Sequence, residues 1–77
     1  MLVQKVSGLK KISGKQCVKI LCNKFGFQTV RQRGSHVVLK KGKIGTVVPL
    51  HSELKISTLR NALKLAKISE EDFAKYI

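Results

Sequence analysis

Apolar residues recur at three- and four-residue spacing from Val18 through Leu21 and Cys22 to Phe25, the single stripe of an amphipathic helix. The helix should begin at Ser13, because Ser13 and Gln16 fit a capping box and Ile12 and Cys17 fall where a hydrophobic staple closes. Lys15, Lys19 and Lys24 lie off the stripe, and Gly26 supplies a left-handed exit. The period then shortens to two. Phe27 to Gln32 and Ser35 to Lys40 read as two strands of a β-hairpin, Lys41-Gly42-Lys43 as a second turn, and Ile44 to Leu50 as a third strand. Val47 and Val48 lie on opposite faces of that strand, which predicts partial cover on both sides. Pro49 cannot donate to a ladder and marks a strand end or a sheet edge.

His51 to Ile56 reads as a connecting loop, followed by a second helix from about Ser57 with Ile56, Leu59, Leu63 and Ala66 as its inward stripe and Ala62 beside it. A short last helix opens at Ser69, with Asp72 at the capping-box position and Ile68 and Phe73 as its staple. Met1 to Lys11 shows no period and reads as an extended basic arm, with Leu2, Val3 and Leu9 tucked against the body. The pattern predicts one α+β domain over residues 1–77, α-β-β-β-α, with a three-stranded antiparallel sheet and a short extra C-terminal helix. So short a chain buries only about two-thirds of its unfolded surface, so every amphipathic element must contribute to the core.

Within the hairpin, a two-residue Arg33-Gly34 loop would set Arg31 across from His36 and Val30 across from Val37. His36 and Arg31 would then share one face, and Val30, Val37 and Leu39 the other. A four-residue loop changes the pairing but still turns His36 away from Val37. His36 therefore points to solvent among cations.

Charge sharpens that picture. The formal charge is +12, and all four acids lie at Glu53 or later, behind eleven of the lysines and arginines. Glu70, Glu71 and Asp72 fall in the first turn of the last helix, where its dipole favours them. Such a chain suits a polyanionic partner: nucleic acid first, an acidic protein second, an anionic membrane surface third. Cys17 and Cys22 lie five apart, which is neither a redox CxxC nor a zinc pattern, and they read as small apolar core residues. The start of the chain lacks an apolar signal region, and no run reaches the ~18 apolar residues of a bilayer span, so a cytoplasmic protein without membrane contact is expected.

For chemistry, His36 stands out. RNA carries its own nucleophile, the 2′-hydroxyl, so scission needs only proton transfer and charge stabilisation, and an imidazole with an unperturbed pKa of ~6.5 can move that proton. Arg31, Arg33 and Lys40, with Lys41 and Lys43 of the second turn, could hold phosphate and offset developing charge. This chemistry calls for neither metal nor cofactor. From the residues alone an ordinary surface histidine is the commoner reading. His51 is a second candidate, as a proton-transfer partner, a phosphate ligand or a loop cap, of which the loop role is the commoner. Ser35 is no nucleophile for His36, because neighbours on a strand face opposite ways. Phe25, Phe27, Phe73 and Tyr76 all fall at core or cap positions, which argues against a base-stacking surface.

Gly26-Phe27, then Arg31-Gln32-Arg33-Gly34-Ser35-His36, then Val48-Pro49 and Thr58-Leu59-Arg60, resemble the HicA (YcfA-like) toxin family from about Ile12 to Phe73. Gly-Ser-His alone is common, and the specificity lies in the ordered set. The resemblance implies a small mRNA-cleaving toxin with a double-stranded-RNA-binding-like fold, neutralised by a HicB antitoxin, with His36 at the position of the family's catalytic histidine. Two functions follow: an endoribonuclease (mRNA interferase) working through His36, or a non-catalytic double-stranded-RNA-like binding module in which His36 is one more phosphate contact. The motif in its setting favours the first.

Overall fold

The computed structural model describes residues 8–77. They form α1 (Gly14–Phe25), β1 (Gln28–Arg33), β2 (His36–Lys41), β3 (Ile44–Pro49), α2 (Ile56–Leu65) and α3 (Glu70–Ala74). The strands make one antiparallel sheet in the order β1-β2-β3. Helix α1 packs against β1 and β3, and α2 against β3, so one face of the sheet is covered and the other is open. This is the α+β architecture that the periodicities predict. Of the expected N-terminal arm, Leu2 and Val3 lie outside the described residues, whereas Leu9 packs against the core.

The caps form as their sequences dictate. The Ser13 hydroxyl accepts from the Gln16 backbone N–H at 3.0 Å, and α1 leaves through Gly26 at φ 77°. Ser69 caps α3 in the same way, accepting from the Asp72 N–H at 3.1 Å. Helix α2 starts one residue before the expected position, with Lys55 as N-cap and no side-chain cap bond. It ends with Lys67 at φ 62°, where the Ile68 N–H reaches back to the Leu63 carbonyl at 3.0 Å. That is a Schellman-type closure with a lysine in the seat usually taken by glycine.

Leu21, Leu39, Val48, Leu54, Leu59, Leu63 and Phe73 are sealed from solvent between sheet and helices. Each contributes roughly 1.5–3 kcal/mol of transfer free energy. Phe25 stacks on Phe73 with ring centroids 6.2 Å apart. The inward line of α1 is Cys17, Ile20 and Leu21, with Val18, Cys22 and Phe25 half-buried at its flank. The centre of the stripe is thus rotated from the expected one. Burial also pushes the Cys17 thiol up to about 12, so it stays protonated and serves as a small apolar side chain.

Two contacts tie the layers together. Thr46, buried in β3, donates its hydroxyl to the Ala62 carbonyl of α2 at 2.7 Å. Gly14 is buried where α1 starts against the end of β3, and its N–H donates to the His51 carbonyl at 2.8 Å. A Cβ at residue 14 would lie 1.9 Å from the Pro49 carbonyl oxygen, so only glycine fits there.

The hairpin departs from the expected register. Its loop is Gly34-Ser35, and the pairs are Arg33 with His36, Gln32 with Val37 and Arg31 with Val38. Gly34 has φ 56°, and a two-residue hairpin loop with one left-handed residue takes its glycine first, which moves the loop one residue along. Gly42 opens the second loop likewise. A bulge between Thr29 and Arg31 then turns Val30 outward, 53% exposed, rather than toward the core. Val47 is exposed as well, because nothing covers that side of β3. Pro49 ends β3, an edge strand, as its missing donor requires.

Candidate functional site

Alternation along β2 sorts the side chains. Val37 and Leu39 are buried under the helices, and His36, Val38 and Lys40 stand on the open face. Directly opposite residues share a face, so Arg33 stands beside His36 on β1, with Arg31 next along the strand opposite Val38. On the other side His36 pairs with Pro49 of β3. His36 is therefore exposed, on the central strand, with Arg33 as its immediate cationic neighbour.

The expected phosphate ligands divide by distance and by face. Lys40 lies four residues along β2, roughly 14 Å away at ~3.4 Å per residue, too far to share one phosphate with His36. Lys43 lies in the Gly42-Lys43 turn, farther still along the sheet. Both could meet neighbouring phosphates of an extended strand. Lys41 belongs to the covered side. It pairs with Ile44, its stem runs beside Gly26, and it borders a hollow with Phe25, Phe27 and Ala66. Lys41 is thus on a different side of β2 from Lys40.

His51 lies two residues past Pro49, the partner of His36. The intervening Leu50 donates its N–H to the Ser35 carbonyl, and the His51 carbonyl is held by Gly14. The backbone therefore holds both histidines at the same end of the sheet, and both are exposed. This framing role of Gly14 was missed in the sequence, although a glycine opening a helix, where it is a poor helix former, is a visible signal. Tyr76 also differs from expectation: it is 44% exposed, edge-on to Phe25 and beneath the Lys24 ammonium.

Two of the acids take local structural roles. Glu70 pairs with Arg60 at 3.2 Å, joining α2 to α3, and Asp72 pairs with Lys75 at 3.5 Å. Among the described residues no group of three or more His, Cys, Asp or Glu side chains is placed to hold a metal ion. Among them, too, no helix is long and apolar enough to cross a membrane.

An open antiparallel sheet presenting an exposed histidine beside Arg33, backed by helices on its other face, defines a small basic α+β protein. The sequence model of the family described as "HicA toxin of bacterial toxin-antitoxin" matches residues 14–68, from the first residue of α1 to just past α2. The chain belongs to the HicA toxin family, and it is the toxin of a toxin–antitoxin system with an antitoxin as partner. No curated protein and no solved structure matches it.

Proposed function

We propose that this toxin is a metal-independent endoribonuclease, an mRNA interferase, that cuts RNA through His36. The observation that carries the reading is the exposed His36 set directly against Arg33 on the uncovered face. The 2′-oxygen attacks the adjacent phosphorus as its proton passes to an imidazole nitrogen, and the bond from phosphorus to the 5′-oxygen breaks. The departing oxygen then takes a proton, leaving a 2′,3′-cyclic phosphate and a 5′-hydroxyl. Arg33, with Arg31 behind it, offsets charge on the phosphoryl oxygens, and Lys40 and Lys43 hold flanking phosphates. His51 is the nearest candidate for the second proton transfer. The chemistry is complete without a metal.

Cleavage by the purified chain and by His36→Ala, each with excess chelator, tests the reading. The variant should lose ~10²–10⁴ in rate, the range for a general acid–base, while RNA affinity and unfolding midpoint stay close to wild type. Equal cleavage by both proteins, or activity that the chelator removes, would refute it.

The same face is where an antitoxin acts to best effect. We infer a HicB-like acidic partner that covers His36 directly, with carboxylates meeting Arg31, Arg33 and Lys40, because desolvated cations need matched acceptors.

A further inference from the structure

We propose that the chain carries a second RNA-binding groove, separate from the His36 face, between α1 and the C-terminal Tyr76, and that it takes single-stranded RNA. The proposal rests on the RNA reading above. Lys15, Lys19 and Asn23 form a row at four-residue steps along α1, each step advancing ~6 Å along the axis. Gln16 and Lys24 run beside them, and Tyr76 closes the far side of a hollow of about 480 Å3. No acid lines it. The opposite side of α1 packs on the sheet, so the row faces away from the open sheet face, and a phosphate held here is not the one at His36.

The chemistry of the lining favours a nucleic-acid strand over an acidic polypeptide. An acidic peptide needs only the lysines, whereas the groove adds two amide side chains and a half-exposed aromatic ring. Among the described phenylalanine and tyrosine residues Tyr76 alone is exposed. Its ring is fixed edge-on by Phe25, centroids 5.6 Å apart, and Lys24 Nζ sits 5.6 Å above it. A base stacked on a ring beside lysines that track phosphates is how single strands are bound without strict sequence choice. Apart from the imidazole of His36 the open sheet face carries valines and no ring, so the two surfaces divide the work: the sheet handles a phosphate and the groove holds bases. A strand bound at both would be held against release while it is cut.

The protein contains one tyrosine and no tryptophan, so its intrinsic emission reports on this groove alone. The whole chain is titrated with a 2′-O-methyl single-stranded oligonucleotide, which cannot be cut. Tyrosine emission should be quenched as the oligonucleotide saturates, Tyr76→Ala should weaken binding about 5-fold or more, and Lys15→Glu with Lys19→Glu should abolish the quench. His36→Ala should leave the quench in place, and Arg33→Glu, even where it weakens affinity, should leave the quench amplitude at saturation unchanged. Saturation of a labelled oligonucleotide with unchanged tyrosine emission would overturn the proposal. So would a quench lost in Arg33→Glu yet kept in the lysine variant, or one produced equally by a duplex or by polyglutamate. The readout needs no cleavage, so the two ideas fail separately. A chain that quenches without cutting refutes only the nuclease reading, and one that cuts without quenching refutes only the groove.

Discussion

Gly14→Ala is a one-carbon change that the structure makes expensive. The new Cβ would sit 1.9 Å from the Pro49 oxygen and 2.8 Å from both the Pro49 carbonyl carbon and the Leu50 Cα. All three are backbone atoms, so no side chain can swing aside. To reach van der Waals contact α1 must retreat by roughly 1 Å or more, which stretches the 2.8 Å bond from Gly14 N to the His51 carbonyl beyond hydrogen-bond range. Overpacking of this kind costs about 1–3 kcal/mol and the lost hydrogen bond about 1 kcal/mol. Alanine returns at most about 1 kcal/mol through helix propensity and a less entropic unfolded chain. With the full return the net loss is about 1–3 kcal/mol, which in a domain of this size lowers Tm by roughly 4–24 °C.

Gly45→Ala is the matched control. A Cβ there meets only the Leu39 carbonyl oxygen at 3.6 Å and the Lys40 side chain at 3.7 Å, both ordinary contacts. The same chemical change should therefore be neutral or stabilising by up to about 1 kcal/mol. Thermal and urea unfolding of both variants decide the matter. A Gly14→Ala midpoint at or above wild type, or equal shifts in the two variants, would refute the reasoning. If Gly14→Ala remains folded it should also cut RNA more slowly, because the moved segment carries Leu50, whose N–H holds the turn before His36.

Three further outcomes are expected. Thr46→Val should cost about 1–2 kcal/mol in urea unfolding: the donor to Ala62 disappears, and a methyl cannot sit 2.7 Å from that oxygen; an unchanged midpoint would mean that the hydroxyl contributes nothing. Lys67→Gly should raise Tm by several degrees, since glycine at φ 62° relieves ~1 kcal/mol of left-handed strain, and a lower Tm would show that the lysine stem contributes more than the strain costs. Arg33→Glu should weaken both RNA and antitoxin binding and flatten the salt dependence of each, and loss of one with the other intact would break the shared-surface idea.

What could be read in the residues follows from how local each determinant is. Ser13-Gln16 and Ser69-Asp72 cap their helices within three residues, so both starts were legible. The strands and the exposure of His36 were legible too, because alternation alone turns His36 away from Val37. The hairpin register was not, since it hangs on which loop seat Gly34 takes. That seat is decided by backbone twist, and the bulge that releases Val30 is invisible to periodicity. Lys41 shows the same limit: its face depends on strand parity, which proximity to Lys40 and Lys43 in sequence obscures. The close approach of Gly14 to Pro49 joins residues far apart in the chain, and no local pattern encodes it.

The open sheet face poses a stability problem that the charge distribution answers. β1 is an edge strand without a single buried residue, and Val30, Val38 and Val47 leave apolar surface around it, the kind of edge that invites pairing with another copy. Arg31 and Arg33 stand on that edge and the bulge at Val30 distorts it, so two copies meeting edge to edge would bring like charges together and mismatch their ladders. The same cations that oppose edge-to-edge pairing would attract a polyanion. An antitoxin that covers the face must therefore supply two things at once: carboxylates for the arginines, and an apolar contact for the valines between them. A partner offering only acids would be displaced readily by RNA as salt falls, because both would rely on the same screened attraction. Burying those valines would give such a partner a contact that salt does not weaken, which is what holding the face against an excess of RNA would require.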